Sequence, residues 1–168
     1  LRPELRRCLY DREQRRAMGH FYRFQVPIKP ERDLVADDAA AVEQYLRRWS
    51  GPAWQDTPEF TEAARYLRAA MQIPGVAHCA LEFYRWAFRS LFRGDGRRFA
   101  NAMRDPSPVP VLQLHGRVDG CVLPRTAQAS TAWAGRGSTL RELPGVGHYP
   151  HLEAPELTTD LLLEWLNR

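Results

Sequence analysis

Two ionisable residues each follow a short apolar run that ends among glycines. Asp119 stands in "HGRVDGCV", and His148 stands in "GVGHYP" after the next such run. A carboxylate can hold an imidazole in one tautomer and stabilise its protonated form, so that the histidine acts as a general base. Each residue also has a plainer interpretation, because Asp before Gly is a common turn former and a histidine in a glycine turn can be idle. Their order and placement together favour a catalytic pair.

Strand–helix alternation after Pro108 supplies the elements that would position this pair. The run "VPVLQLHG" predicts a buried parallel strand, and "STLRELPGVG" predicts a second, weaker strand. Helices are predicted over 124–133 and 154–166. This alternation indicates an α/β fold with a parallel sheet, in which reactive groups sit at the carboxyl ends of the strands. Two strands cannot cover both faces and edges of a sheet, so we expect the other strands to come from elsewhere.

Helical periodicity dominates the chain before residue 106. Apolar residues recur at i, i+3, i+4 and i+7 in segments that begin near Val42, Phe60 and Val76. Pro58 is predicted to open the second of these helices, with Thr57 as its cap. Residues 4–19 predict a further, very polar helix.

Composition excludes several functional classes. The chain has 24 basic and 20 acidic residues, and the arginines alternate with acids, which favours solvated helix faces over a nucleic-acid surface. No apolar run reaches the roughly 18 residues of a membrane span. Cys8, Cys79 and Cys121 lie far apart, which argues against disulfides and a zinc site and favours a reducing, cytoplasmic location. No metal-ligand spacing or phosphate loop is present.

Two groups of motifs resemble a known family. "PVPVLQLHGRVDGCVLP" followed by "LPGVGHYPHLEAPE" is similar to the C-terminal part of α/β-hydrolase-fold enzymes, which present the acid and then the histidine. "FYRFQVPIKPE", "VEQYLRRWSGPAW" and "ALEFYRWAFR" resemble the cap of the epoxide hydrolase branch. The resemblance implies an α/β class in which residues 1–105 form a helical cap. Residues 106–168 would form the last parallel strands and helices of the core sheet.

The resemblance also implies roles for individual residues. Asp119 becomes the triad acid and His148 the general base, while His115 and His151 receive structural interpretations. Tyr84 in "EFYRW" matches a cap tyrosine that donates a hydrogen bond to the epoxide oxygen. The other lid tyrosine of the family stands five residues before the glutamine of "FQ-x-P". Here that position is His20, and Tyr22 is out of register, so both are substrate-binding candidates. No cofactor is implied.

The nucleophile that the family needs has no counterpart in these 168 residues. The elbow G-x-S-x-G, with Asp in place of Ser in epoxide hydrolases, requires two glycines four positions apart, and only Gly116 and Gly120, around Val118, have that spacing. The family places its elbow before the cap, so we expect it upstream of Leu1, in an N-terminal half that this chain needs.

The resemblance predicts hydrolysis of a small apolar epoxide through a covalent alkyl-enzyme ester. A serine esterase acting on an ester, a haloalkane dehalogenase of the same fold and a non-enzymatic fragment or binding module stay open as alternatives.

Overall fold

The computed structural model describes residues 10–168, which form helices followed by a small parallel sheet with its own helices. In chain order the elements are α1 Arg12–Ala17, α2 Gly19–Arg23, α3 Lys29–Trp49, α4 Pro58–Met71, α5 Val76–Arg89, a 3₁₀ turn Ser90–Phe92, α6 Gly94–Ala102, β1 Leu112–Gly116, α7 Pro124–Ser130, a 3₁₀ turn Thr131–Trp133, β2 Thr139–Leu143, α8 Pro150–Glu153 and α9 Pro155–Leu166. Within this range, no helix combines the length and the apolar character needed to cross a bilayer.

The chain divides into two compact units. The first, called the sheet unit, contains the described residues up to Met18 together with residues 47–61 and 106–168. The second, called the helical unit, contains residues 19–46 and 62–105.

The sheet unit is built around β1 and β2, which pair in parallel from Leu112–Thr139 to Gly116–Leu143. Because α7 and a 3₁₀ turn form the crossover between them, both strands end at the same edge of the sheet. The prediction of two parallel strands and of a helix opened by Pro124 is confirmed.

One expectation about the first strand is wrong. A buried strand was expected from its apolar run, yet Leu112, Gln113 and Leu114 are half-buried and only the last two positions of β1 are buried. The reason is that, in the part of the chain described, the sheet has two strands, and each leaves one edge unpaired. The C-terminal helix, predicted over 154–166, begins at Pro155 and ends at Leu166, and Leu157 in its first turn is 44% exposed.

The helical unit packs around a core cluster of Phe24, Leu34, Ala77 and Leu81. Its first long helix, α3, is interrupted where Asp37, Asp38 and Ala39 adopt left-handed backbone conformations. The regular helical periodicity therefore begins after this kink, where the sequence predicts a helix near Val42.

The remaining helix predictions agree with the structure where it can be compared. Helix α4 begins at Pro58, and Thr57 Oγ1 accepts a hydrogen bond from the Phe60 amide at 3.2 Å, as expected of a cap. Helix α1 falls inside the polar segment predicted over 4–19, of which residues 4–9, with Cys8, lie outside the described residues. Of the other thiols, Cys79 is exposed and Cys121 is buried.

Candidate active site

Asp119 and His148 meet at the edge where β1 and β2 end. His148 Nδ1 lies 2.9 Å from Asp119 Oδ2, and the side chains are 32% and 2% exposed, respectively. A carboxylate can only accept a hydrogen bond, so Nδ1 carries a proton, and in the neutral imidazole Nε2 then keeps its lone pair. This pair, called the dyad below, therefore has the tautomer that a general base requires.

The second oxygen of Asp119 stabilises the turn after β1. Oδ1 accepts hydrogen bonds from the amides of Cys121 at 2.7 Å and Val122 at 2.9 Å. Asp119 is thus a turn former and a partner of His148 at once, one oxygen for each task. The two interpretations of this residue from sequence are therefore compatible.

His115 lies on the other side of the same carboxylate. Its Nε2 is 2.9 Å from the carbonyl oxygen of Val122 and 3.6 Å from Asp119 Oδ2. The carbonyl can only accept, so Nε2 carries a proton. His115 thus joins the end of β1 to the turn that Asp119 organises. His151, in contrast, is exposed on α8.

The turn that carries His148 needs glycine because it packs directly on another backbone segment. The His148 amide donates to the carbonyl oxygen of Trp49 at 2.8 Å. A Cβ on Gly147 would lie 2.3 Å from that same oxygen and 2.5 Å from the Gly51 nitrogen, closer than real contacts allow. The Trp49 ring also packs edge-to-face on the His148 ring, with centroids 5.7 Å apart.

Glu153 holds this turn from α8, a role that was not predicted from the sequence. Its Oε2 accepts from the amides of Gly51 and Gly147, each at 2.7 Å, and its Oε1 accepts from the amide of Tyr149 at 2.9 Å. The carboxylate therefore fixes the peptide groups on both sides of His148. The signal for it was available, because a glycine turn leaves amides that need an acceptor and an acid follows in the next helix.

A cleft of about 250 Å³ lies beside the dyad within the sheet unit. It is lined by Asp119, His115 and His148, and by the glycines at the ends of the two strand–turn segments, Gly116 and Gly147. Residues 10–168 contain no group of three or more His, Cys, Asp or Glu side chains that could hold a metal ion.

His20 and Tyr84 lie together in the helical unit. Their ring centroids are 5.7 Å apart, both rings pack edge-to-face on Phe24, and the His20 ring also packs on Tyr45. These four residues, His20, Phe24, Tyr45 and Tyr84, are called the aromatic cluster. His20 is 3% exposed and Tyr84 is half-buried. Tyr22 is 44% exposed and packs instead on Phe21.

Arg85 holds the backbone next to the aromatic cluster through hydrogen bonds. Its guanidinium, 4% exposed, pairs with Glu31 and donates to the carbonyl oxygens of Phe24 at 3.0 Å and Val26 at 2.9 Å. The hydrogen bonds from Arg85 lower the pKa of Glu31 from 4.5 to about 2. Gln25 adds a donated hydrogen bond to the Tyr84 carbonyl oxygen at 3.3 Å.

Comparison with known proteins finds solved structures of similar fold. No protein-family model matches the chain, and no curated protein matches it. An epoxide hydrolase from Bacillus megaterium, solved as a point mutant, superposes with a TM-score of 0.71 at 16% identity over 99% of this chain. The epoxide hydrolase of the same organism in complex with an inhibitor gives a TM-score of 0.68, also at 16% identity. Cfl2 from Burkholderia cenocepacia gives 0.65 at 18% identity over 92% of this chain.

The chain spans 57% of the length of the Bacillus megaterium structures and 49% of the Cfl2 structure. The two-strand sheet, its crossover helix and the preceding helices correspond to the C-terminal part of an α/β-hydrolase fold. The predicted fold class is confirmed.

Proposed function

We propose that this chain, which has the fold of the C-terminal part of an α/β hydrolase, supplies the acid and base of an epoxide hydrolase. The observation that carries the proposal is the 2.9 Å hydrogen bond from His148 Nδ1 to Asp119 Oδ2, which leaves Nε2 with its lone pair. The structural likeness to the Bacillus megaterium epoxide hydrolase supports the reaction class.

The first step requires a nucleophile from outside these 168 residues. In the epoxide hydrolase reaction, an aspartate oxygen bonds to an epoxide carbon while the ring C–O bond breaks and leaves an alkoxide. Tyr84 is proposed to donate its phenolic hydrogen bond to that oxygen as charge develops. His20, which stands in the register of the second lid tyrosine, and the nearby Tyr22 are proposed to contact the substrate.

The second step belongs to the dyad. His148 Nε2 takes a proton from water, and the resulting hydroxide attacks the carbonyl carbon of the alkyl-enzyme ester. Asp119 stabilises the imidazolium that forms, because its Oδ2 stays hydrogen-bonded to Nδ1. The acyl C–O bond then breaks, and the leaving oxygen takes the proton of the hydroxyl group added to the carbonyl carbon, which restores the aspartate as a carboxylate. The alkoxide of the first step takes its proton from solvent and the imidazolium returns one to solvent, so the diol leaves neutral and His148 is again a base.

The proposed substrate is a small apolar epoxide, and the proposed cap is residues 1–105, which include the helical unit. Phe83 and Trp86, which flank Tyr84 on α5, are 66% and 42% exposed and offer aromatic surface. Aromatic surface of this kind suits an uncharged substrate, because charged groups lose hydration on leaving water.

Ester hydrolysis is the second candidate, and one specific observation favours it. His20 occupies the position where epoxide hydrolases carry a lid tyrosine, so the second hydroxyl donor for an epoxide oxygen is missing at that position. With a serine nucleophile, the dyad would serve ester hydrolysis through the same two groups.

Turnover measurements on matched histidine variants test the proposal. The chain, produced together with the segment that carries the nucleophile, is given styrene oxide and p-nitrophenyl acetate in parallel. We expect diol formation that His148→Gln abolishes and that His151→Gln, at a nearby exposed histidine, leaves unchanged. Hydrolysis of the ester alone would support the esterase, and equal turnover by His148→Gln would refute a catalytic role of the dyad. Absence of turnover of either substrate by a folded protein would favour a binding module.

A further inference from the structure

The turn at residues 121–123, which Asp119 organises, is also held by a side chain far away in the sequence. Gln14, on α1, is fully buried. Its Nε2 donates to the carbonyl oxygen of Cys121 at 2.8 Å, and its Oε1 accepts from the amide of Leu123 at 2.9 Å. The amide side chain therefore uses both its donor and its acceptor on the backbone of this turn.

Every backbone polar group of the turn then has a partner. Asp119 accepts from the amides of residues 121 and 122, and Gln14 binds the carbonyl of 121 and the amide of 123. His115 binds the carbonyl of 122, and the first turn of α7 donates to the carbonyl of 123. A buried backbone group without a partner is costly, so loss of Gln14 would force the turn to shift.

Hydrogen bonds at the start of α1 hold this helix, and with it Gln14, in position. Asp11 caps α1 by accepting from the Gln14 amide at 3.1 Å, and Arg125 at the start of α7 donates two hydrogen bonds to the same carboxylate. The hydrogen bonds from Arg125 hold the pKa of Asp11 well below its usual range. A further donor, the Thr126 hydroxyl, reaches Gln14 Oε1 at 2.7 Å.

We propose that Gln14 is a positioning residue for Asp119, holding the 121–123 turn so that Oδ2 stays aimed at His148. The proposal rests on the proposed function, in which Asp119 orients the base. Gln14 acts through the turn, since its amide binds the carbonyl of residue 121 and the amide of residue 123, two backbone groups that the Asp119 carboxylate does not bind. An N-terminal helix thereby contributes to a site formed by residues of the C-terminal sheet.

The test reads the Asp119–His148 hydrogen bond itself, independently of turnover. Nitrogen-15 NMR detects the His148 Nδ1–H proton and the exchange rates of the Cys121 and Val122 amides. In Gln14→Ala, we expect amide exchange at both positions to rise by about tenfold or more and the Nδ1–H signal to weaken. If the proposed function also holds, kcat should fall by about tenfold with KM nearly unchanged.

Matched variants keep the test decisive. Gln72→Ala removes a comparable amide-to-carbonyl bond in the helical unit, to Val35, and should leave every readout at the wild-type value. Gln14→Glu keeps the side-chain shape but replaces the donor to Cys121 with an oxygen, and Thr126→Val removes only one donor to Gln14. If Gln14→Ala does not fold, amide exchange at Cys121 and Val122 and the His148 Nδ1–H signal are measured in these two variants instead.

Wild-type amide exchange and an intact Nδ1–H signal in the folded Gln14 variants would overturn the proposal, even if epoxide turnover is established. A disturbed signal in a protein that turns over neither substrate would instead support the positioning role and reject the proposed function.

Discussion

The dyad and the aromatic cluster hold their polar groups in different ways. Asp119, His148 and Glu153 are fixed by short hydrogen bonds to backbone amides or to each other. His20 and Tyr84 are positioned by edge-to-face ring contacts with centroids 5.1 to 6.0 Å apart. Hydrogen bonds fix direction, whereas ring packing fixes mainly position and tolerates some rotation. The orientation of the base is therefore fixed by hydrogen bonds, and the ring positions in the aromatic cluster are fixed by edge-to-face packing.

The largest effect is expected for Asp119→Asn. The Asn oxygen can still accept from the Cys121 and Val122 amides, which places its NH₂ group against His148 Nδ1. Nδ1 must then accept, the proton moves to Nε2, and the base is lost. Turnover should fall by about 10²- to 10⁴-fold, measured as initial rates, while the melting temperature stays near that of the wild type. Unchanged turnover would place the acid elsewhere.

A smaller effect is expected in the aromatic cluster from Tyr84→Phe. The ring contacts remain, but the proposed donor to the epoxide oxygen is removed. Epoxide turnover should fall by about 10²- to 10³-fold and ester turnover should change little. Tyr66→Phe, an exposed tyrosine on α4, is the matched control. Equal losses on both substrates would make Tyr84 a packing residue only.

Glu153→Gln tests whether backbone-directed hydrogen bonds position the base. A carboxylate offers acceptors to all three amides, whereas a glutamine must turn an NH₂ group towards at least one of them. We expect stability to fall by about 1–3 kcal/mol and turnover by about tenfold, measured by urea unfolding and steady-state kinetics. Glu156→Gln, at an exposed residue nearby, should change neither stability nor turnover. If Glu153→Gln also changes neither, the turn keeps its conformation without the Glu153 carboxylate.

The smallest effect concerns the acid stability of the helical unit. The pKa of Glu31 in the folded protein is about 2 because Arg85 donates hydrogen bonds to it, and its ordinary value is 4.5. A depressed pKa contributes stability above pH 4.5 that is lost as the pH falls towards 2. Urea unfolding across this window should show a smaller pH dependence for Glu31→Gln than for the wild type. Asp33→Asn, in the exposed pair with Lys29, is the control; identical curves for Glu31→Gln and the wild type would contradict the role of Arg85.

The sequence predicts the sheet unit better than the helical unit, for physical reasons. Strand ends in a parallel sheet meet at one edge, so the proximity of Asp119 and His148 follows from the order of elements. The kink of α3 at residues 36–39 was not predicted, because no glycine or proline lies there to mark a break in the helix. The half-buried state of β1 was missed because burial depends on strands beyond the two visible in the sequence.

The supporting side chains were the hardest to find. Gln14 is an ordinary polar residue in a polar helix, and nothing local shows that it binds a turn 107 residues later. Glu153 lies close to His148 in the chain, yet its role depends on the backbone at Gly51. The contacts of Gln14 with the turn and of Glu153 with Gly51 arise from tertiary packing, which periodicity and motif spacing do not encode, whereas the contact of Glu153 with the glycine turn beside it had a local signal.

The most direct test of the dyad as the base of an epoxide hydrolase is the intact mass of His148→Gln after incubation with styrene oxide. The variant is produced, like the wild type, together with the segment that carries the nucleophile. Loss of the base should block hydrolysis of the ester but not its formation, so the protein should gain the mass of one epoxide. A tryptic peptide carrying the adduct would identify the nucleophile. If His148→Gln stays unmodified although the wild type hydrolyses the same epoxide, the two-step mechanism and the role given to His148 are contradicted.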